Sequence, residues 1–226
     1  MTLEVAKEAA GHRAVRFIED DMIVGLGTGS TACYFIDALI EKCQQGLKIE
    51  AVASSEASAS KARDGRIRVL DINAITQVDI TVDGADEIDQ QKRMIKGGGG
   101  AHTREKILAA ASKEMIVVVD ETKLVNSIGQ TKLPVEILHY GSPITRNRIE
   151  RQGYKGQWRL AKDGSIFLTD NGNPIFDIYF DFPPPFPEED HERLLNTLGV
   201  IDTGFFFNLA GRVIIGHTDG RVTIQT

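Results

Sequence analysis

Residues 115–119 read Met-Ile-Val-Val-Val, an apolar run with no polar residue inside it. A strand with one wet face alternates apolar and polar side chains. An unbroken run suits a strand covered on both faces, as in a parallel sheet with helices packed on either side. The segments 22–26, 49–53, 68–71 and 78–82 are further strand candidates. Between them lie stretches at helical spacing, such as 31–43 with Cys33, Phe35 or Ile36, Leu39 and Ile40. The segment 54–65 (SSEASASKARDG) reads as a polar loop leading into a short helix, and 103–112 as a helix. This alternation, kept up to about residue 125, predicts an open α/β fold.

The texture changes after about Leu133. A helix is expected from near Ser142-Pro143 through 146–152. Strands are expected at 158–160 and 165–169, joined at Lys162-Asp163-Gly164, and at 175–180 after a turn at 169–173 (TDNGN). The run 182–187 (FPPPFP) fits neither helix interior nor central strand, since proline lacks the amide hydrogen. A helix over 188–198 follows. The chain then returns to strand-like segments at 204–209, 212–215 and 222–224, with a turn at 217–220.

Composition narrows the function. Among 226 residues, 26 Lys+Arg against 32 Asp+Glu give a net charge of −6. That argues against a nucleic-acid binder, whose footprint is a basic face. A small anion remains compatible, because a few aimed amides and one lysine outweigh an average charge. Cys33 and Cys43 form no Cys-x-x-Cys pair, so neither a disulfide framework nor a zinc site is expected, and reducing cytosol is the natural compartment. The opening MTLEVAKEAAGHRAVRFIEDD reads as an amphipathic helix with charges throughout, not as a signal peptide. No apolar run approaches the roughly 20 residues of a membrane helix, so a soluble protein without membrane partners is expected.

Three loops carry chemistry. Gly25-Leu26-Gly27-Thr28-Gly29-Ser30-Thr31 joins a strand to a helix, where an α/β sheet binds anions. It lacks the third glycine of the dinucleotide fingerprint and the Gly-Lys-Ser/Thr of the P-loop. What remains is a glycine turn with three hydroxyls, suited to one phosphate group or, without a ligand, to a tight turn and helix cap. Asp83-Gly84-Ala85-Asp86-Glu87-Ile88-Asp89 follows a strand. It is too short for a calcium loop and is open to reading as a turn plus helix cap. Lys96-Gly97-Gly98-Gly99-Gly100-Ala101-His102-Thr103-Arg104-Glu105-Lys106 sets four glycines before a helix. Ordering that much backbone is costly, so a role for the exposed amides is expected. A carboxylate and a lysine beside an oxyanion pocket are what proton abstraction next to a carbonyl requires. A single histidine at a helix start is more often structural, so His102 is left out of the site. Lys123, in 119–123 (VDETK), ends another strand and suits either a phosphate or solvent.

Taken together, GLGTGST, SSEAS, DGADEID, KGGGGAHTREK, VDETK, LPVEI (133–137) and TDNGN resemble the type A ribose-5-phosphate isomerases, in that family's order. The resemblance implies interconversion of ribose 5-phosphate and ribulose 5-phosphate, in the non-oxidative pentose phosphate branch, without metal or organic cofactor. It implies Glu105 as the base acting through an enediolate, with Asp83 and Lys96 serving ring opening and the oxygen-bound protons. Substrate contacts would come from Thr28, Gly29, Ser30, Thr31, Asp83, Gly84, Ala85, Asp86, Lys96, Gly97, Gly98, Gly99 and Lys123, joined by Lys7. It further implies a Rossmann-like open-sheet α/β domain over 1–130 and 205–226 with a small inserted α+β domain over 131–204, and a homodimer or homotetramer. Gly100 stands where many members carry alanine, a change expected to loosen the loop slightly, and FPPPFP departs from the usual small-domain sequence.

Two other classes share parts of this pattern. A non-catalytic sugar-phosphate sensor would keep the GTGST loop without needing Glu105 and Lys96, and would usually carry a DNA-binding segment, for which the N-terminus reads as too short. A transferase or sugar-phosphate deaminase would not need the DGAD and KGGGGAHTREK pair.

Overall fold

The computed structural model describes residues 2–226. Along the chain the elements run α1 (Leu3–Ala14), β1 (Ile23–Leu26), α2 (Ser30–Gln44), β2 (Glu50–Ala53), α3 (Glu56–Asp64), β3 (Arg68–Val69), β4 (Val78–Asp83), β5 (Glu87–Ile88), β6 (Met94–Ile95), α4 (His102–Ala110), β7 (Ser112–Asp120), β8 (Leu133–Ile137), α5 (Ser142–Arg151), β9 (Lys155–Trp158), β10 (Ile175–Tyr179), α6 (Pro187–Leu195), β11 (Val200–Thr203), β12 (Phe205–Phe206), β13 (Ala210–Gly216) and β14 (Val222–Gln225). They form two compact units. The first takes residues up to Ala85, Arg104–Leu124 and Leu209–Thr226; the second takes Asp86–Thr103 and Val125–Asn208.

The first unit is a Rossmann-like open α/β sheet of seven strands, in the order β14-β13-β7-β4-β1-β2-β3. Every pair is parallel except β13 with β14. The apolar strand runs are covered on both faces, as their lack of alternation requires. In β1, Val24 and Leu26 enter a core with Ala10, Ala14, Phe35, Ile36 and Leu39 of α1 and α2. Ile23 packs instead with Val52, Val78 and Leu108 of α4. From β1 the strand order proceeds to β2 and β3 on one side and to β4 and β7 on the other. The loops after β1 and β4 therefore leave the sheet where its winding reverses, the place where open α/β sheets bind ligands.

Helix α1 is present where expected, but its buried face holds only small residues: Ala6, Ala10, Gly11 and Ala14. Leu3 and Val5 are exposed. A Cβ added to Gly11 would lie 2.6 Å from Phe35 N, and one on Gly216 1.8 Å from Ala6 O. Backbone-to-backbone approach, not large side chains, seats this helix. The short helix expected within 54–65 is α3, which takes most of the segment, because Ser55 caps it by accepting the Ser58 amide hydrogen at 3.2 Å.

The second unit holds an antiparallel four-stranded sheet, β11-β8-β10-β9, and a three-stranded sheet, β12-β6-β5. Its core joins Leu133, Val135, Ile137, Phe176 and Ile178 with Ile149 of α5, Leu194 of α6, Ile95 and Phe205. Residues 86–103, 125–130 and 205–208 go with this unit, beyond the expected 131–204. The reason is that β6 pairs with both β5 and β12. No continuous strand forms at 158–160 or 165–169. Lys155–Trp158 is the strand, and two isolated bridges, Leu160 with Ile166 and Leu168 with Pro174, stand beyond it. Pro187 opens α6 at a first-turn position, where a missing amide hydrogen costs nothing. Among the described residues no helix is long and apolar enough to cross a membrane.

Candidate active site

The loop after β1 is tied on three sides within the first unit. Gly27 N donates to Val82 O of β4 at 2.9 Å. Thr28 N donates to Asp83 Oδ1 at 3.0 Å, and Gly84 N reaches the same oxygen at 2.8 Å. Thr28 Oγ1 donates to Ser55 Oγ at 2.9 Å and lies 2.8 Å from Ser54 Oγ, while Ser58 Oγ donates to Gly27 O at 2.7 Å. The serines of SSEAS thus brace the glycine turn, a role the sequence showed only as a motif. Gly29 takes φ 110° as the N-cap of α2, leaving Ser30 exposed on the first turn and Thr31 buried. That helix start offers amides and its positive dipole end to an anion.

Asp83 ends β4 with no exposed surface, and Glu105 is 3 % exposed in the first turn of α4. Lys123 ends a 3-10 turn after β7, half-buried, where the Asp120 carboxylate accepts the Thr122 amide hydrogen at 3.0 Å. In the same VDETK segment Glu121 holds His217 at 2.8 Å and Thr218, so it serves the turn at 217–220. The hydrogen bond from His217 is the main cause that keeps the Glu121 carboxyl below the usual range. Lys7 pairs with Glu4 at 3.0 Å on α1, and Glu4 also accepts from Tyr34 Oη.

In the second unit the acidic motif continues differently from a turn and helix cap: β5 and β6 form a hairpin there. Buried Glu87 accepts the amide hydrogens of Gly129 at 2.6 Å and Gln130 at 3.2 Å, and that of Thr131. Buried Asp89 accepts from Gln91 N and Arg93 N, each at 2.9 Å, and from Arg93 Nε at 2.7 Å. Those two carboxylates hold the backbone. Asp86 is turned to the glycine run, where Gly98 N donates to its Oδ2 at 2.7 Å. A Cβ on Gly98 would lie 2.7 Å from Asp86 Oδ1, so only glycine permits that approach.

Lys96 is 2 % exposed, its ammonium 5.4 Å from the centre of the Phe206 ring. Gly100 has φ 85°, and a Cβ there would lie 2.6 Å from the Phe167 ring. In this chain glycine at 100 therefore fits a tight spot, contrary to the expectation of a merely looser loop. His102 is fully buried with Nε2 3.4 Å from Asp202 O, a structural placement.

Two further residues organise these loops. Buried Glu136, from LPVEI, accepts Thr169 Oγ1 at 2.8 Å, Asn171 Nδ2 at 3.1 Å and Asn173 Nδ2 at 3.0 Å, all from TDNGN, together with Thr103 Oγ1. Burial pushes its carboxyl up, but the four donors outweigh burial and hold it below the ordinary value. Arg159, 8 % exposed, bonds both Asp177 and the glycine run. Nothing local in the sequence marks it. Among the described residues no group of three or more His, Cys, Asp or Glu side chains is placed to hold a metal ion.

An open parallel sheet whose glycine turn, buried carboxylate and lysine lie on strand-end loops marks the chain as a Rossmann-like α/β enzyme. The sequence profile of Ribose 5-phosphate isomerase A (phosphoriboisomerase A) matches residues 50–220. The chain belongs to the ribose 5-phosphate isomerase A family, a family of isomerases. It is 53 % identical over 219 residues to ribose-5-phosphate isomerase A of Protochlamydia amoebophila, covering 97 % of this chain and 94 % of that one. With the Bacillus mycoides protein of the same name, identity is 42 % over 95 % of this chain and 96 % of the other. A solved D-ribose-5-phosphate isomerase in complex with phospho-erythronic acid superposes with a TM-score of 0.94 at 35 % identity, covering 100 % of this chain and 99 % of that one. The Methanocaldococcus jannaschii ribose 5-phosphate isomerase A does so at 0.92 and 31 %, covering 100 % of both chains.

Proposed function

We propose that this chain interconverts D-ribose 5-phosphate and D-ribulose 5-phosphate through an enediolate, with Glu105 as the base. The observation that carries the reading is Glu105 itself: a carboxylate removed from bulk water on the first helical turn after the glycine run. Glu105 takes the proton from C2 of the open-chain aldose and returns it to C1. Asp83 and Lys96 serve ring opening and the protons on O1 and O2, Asp86 contacts the sugar, and glycine amides receive the developing oxyanion. The Thr28–Thr31 turn with Lys123, joined by Lys7, holds the phosphate, and that remote binding orients the reacting carbons. Phospho-erythronic acid, bound by a solved relative, carries a phosphate and a carboxylate, the charge pattern of such an enediolate.

The assay is ribulose 5-phosphate formation with chelator present. The wild-type protein is expected to be active without added metal, and Glu105→Gln to lose about 10³-fold in turnover while still binding phospho-erythronic acid. Wild-type turnover by Glu105→Gln would sink the assignment of the base. We further propose a cytosolic homodimer or homotetramer. The free thiols Cys33 and Cys43 suit a reducing compartment, and light scattering of the purified protein decides the assembly.

A further inference from the structure

We infer that Arg159 is a positioning residue for this reaction: it fixes the direction in which the glycine run presents its amide hydrogens. The inference rests on the isomerase reading above. One edge of the guanidinium is locked on Asp177, with Nε to Oδ2 at 3.0 Å and Nη2 to Oδ1 at 2.5 Å. Lys132 Nζ also donates to Asp177 Oδ2 at 2.6 Å, and the Phe167 ring centre lies 5.8 Å from the guanidinium carbon. A planar fork held along one edge has its other donors aimed as well. The remaining nitrogen, Nη1, donates to Gly97 O at 2.7 Å and Gly98 O at 3.1 Å.

Those two carbonyls decide where the following amides point. In a trans peptide the C=O and the next N–H are directed oppositely, and the described residues hold no cis peptide. With Gly97 O drawn to Arg159, Gly98 N–H must face away from it, and there it meets Asp86 Oδ2 at 2.7 Å. With Gly98 O drawn the same way, Gly99 N–H is turned away from Arg159 too, at an exposed residue. Successive carbonyls of an extended chain point to opposite sides. Bringing two to one side takes a turn at the residue between them, and Gly98 and Gly99 lie in one, closed by Gly100 N donating to Gly97 O at 2.9 Å. Adjacent amides aimed together form the kind of concavity that receives an oxyanion. Arg159 thus sets two directions at once: the amide that aligns Asp86 and the neighbouring amide that meets the substrate oxygen.

A buried ion pair is often no more stabilising than apolar residues of the same volume. The value of this one lies in orientation. Arg159→Lys keeps a charge beside Asp177 but cannot reach Asp177 and two carbonyls together. We expect kcat to fall by about 10²-fold, as when one oxyanion donor is lost, with KM for ribose 5-phosphate changed less than about threefold. Affinity for phospho-erythronic acid should fall alongside kcat while affinity for inorganic phosphate holds. The amide signals of Gly98 and Gly99 in 1H–15N spectra should shift. If Arg159→Lys does not fold, the double variant Arg159→Met with Asp177→Leu removes the buried charges together and should show the same kcat loss. Wild-type kcat with unmoved Gly98 and Gly99 signals in a folded variant overturns the inference. An inactive wild-type protein instead overturns the isomerase reading.

Discussion

Asp83 Oδ1 accepts two amide hydrogens, from Thr28 at 3.0 Å and from Gly84 at 2.8 Å, and so couples the loops after β1 and β4. The strand order places these loops side by side, since β1 and β4 are parallel neighbours. The aspartate proposed to handle substrate protons is therefore also what holds the proposed phosphate turn in place. A substitution that moves one of these elements moves the other.

Gly27→Ala tests that coupling. Its Cβ would lie 2.1 Å from Asp83 Oδ1 and 2.5 Å from Asp83 Cβ, and Asp83 is buried with nowhere to retreat. Overpacking of this kind costs about 1–3 kcal/mol, and here the displaced atom is a proposed catalytic oxygen. Steady-state kinetics should show kcat/KM reduced by at least about 100-fold, equivalent to roughly 3 kcal/mol of transition-state binding. Gly29→Ala meets open space but a φ of 110°, so its effect should come from backbone strain alone.

Gly11→Ala separates helix propensity from packing. In an exposed helix the change gains about 1 kcal/mol. In α1 the new methyl would meet Phe35 N at 2.6 Å and Tyr34 C at 2.9 Å, backbone atoms of α2 that cannot rotate aside. Denaturant titration should show a net loss of about 1–3 kcal/mol with kcat nearly unchanged in the folded fraction. A gain in stability would mean that α1 and α2 are less tightly apposed than this geometry requires.

Strands β1 and β7 were legible because they carry apolar runs without polar alternation: 22–26 contains Ile23–Leu26, and 115–119 lies inside Ser112–Asp120. Helix α3 was legible only as a short helix behind a polar loop, without its start, because its buried positions, Ser58, Ala59 and Ala62, carry almost no hydrophobic signal. The two-residue strands β5, β6 and β12 leave no periodicity to read, and they draw residues 86–103 to the second unit. Among the loops, the glycine turns were legible as chemistry. Their supports were not, because Arg159 acts through Asp177, 18 positions on, and Glu136 through residues 33 to 37 positions away. Long-range partners of that kind are set by tertiary structure and leave no local pattern.

Lys123→Met and Lys7→Met should differ. Lys123 stands on a turn anchored by Asp120 at the end of a central strand, whereas Lys7 is already paired with Glu4 at 3.0 Å. A charged hydrogen bond to phosphate contributes about 1.5–3 kcal/mol, so Lys123→Met should raise KM by roughly 10- to 100-fold with kcat little altered. For Lys7→Met a smaller rise is expected, and almost no change in stability, since an exposed ion pair contributes at most about 1 kcal/mol. Initial rates at two ionic strengths check both, because added salt should weaken phosphate binding less in Lys123→Met than in the wild-type protein.

Glu136 provides the pH test of the second unit. Burial raises its carboxyl, but the hydrogen bonds from Thr103, Asn173, Thr169 and Asn171 together hold the folded-state value below 4.5. A depressed carboxyl contributes stability that is fully present above the unfolded value and is lost as pH falls through the folded one. Glu136→Gln keeps one accepting oxygen but puts an NH2 group in place of the other, which cannot accept from the donor bonded there. At neutral pH it should cost about 1–3 kcal/mol, the usual penalty for leaving buried polar groups unsatisfied. As pH falls below the ordinary carboxylate range the unfolded chain takes up the proton that folded Glu136 still resists, so the wild-type advantage shrinks and the gap between the two proteins should narrow with acidity. Denaturant titrations from about pH 7 down to pH 3 measure that gap; a constant difference across the range would mean that folding does not lower the Glu136 carboxyl, and a gap that widens with acidity that the group is neutral in the folded state.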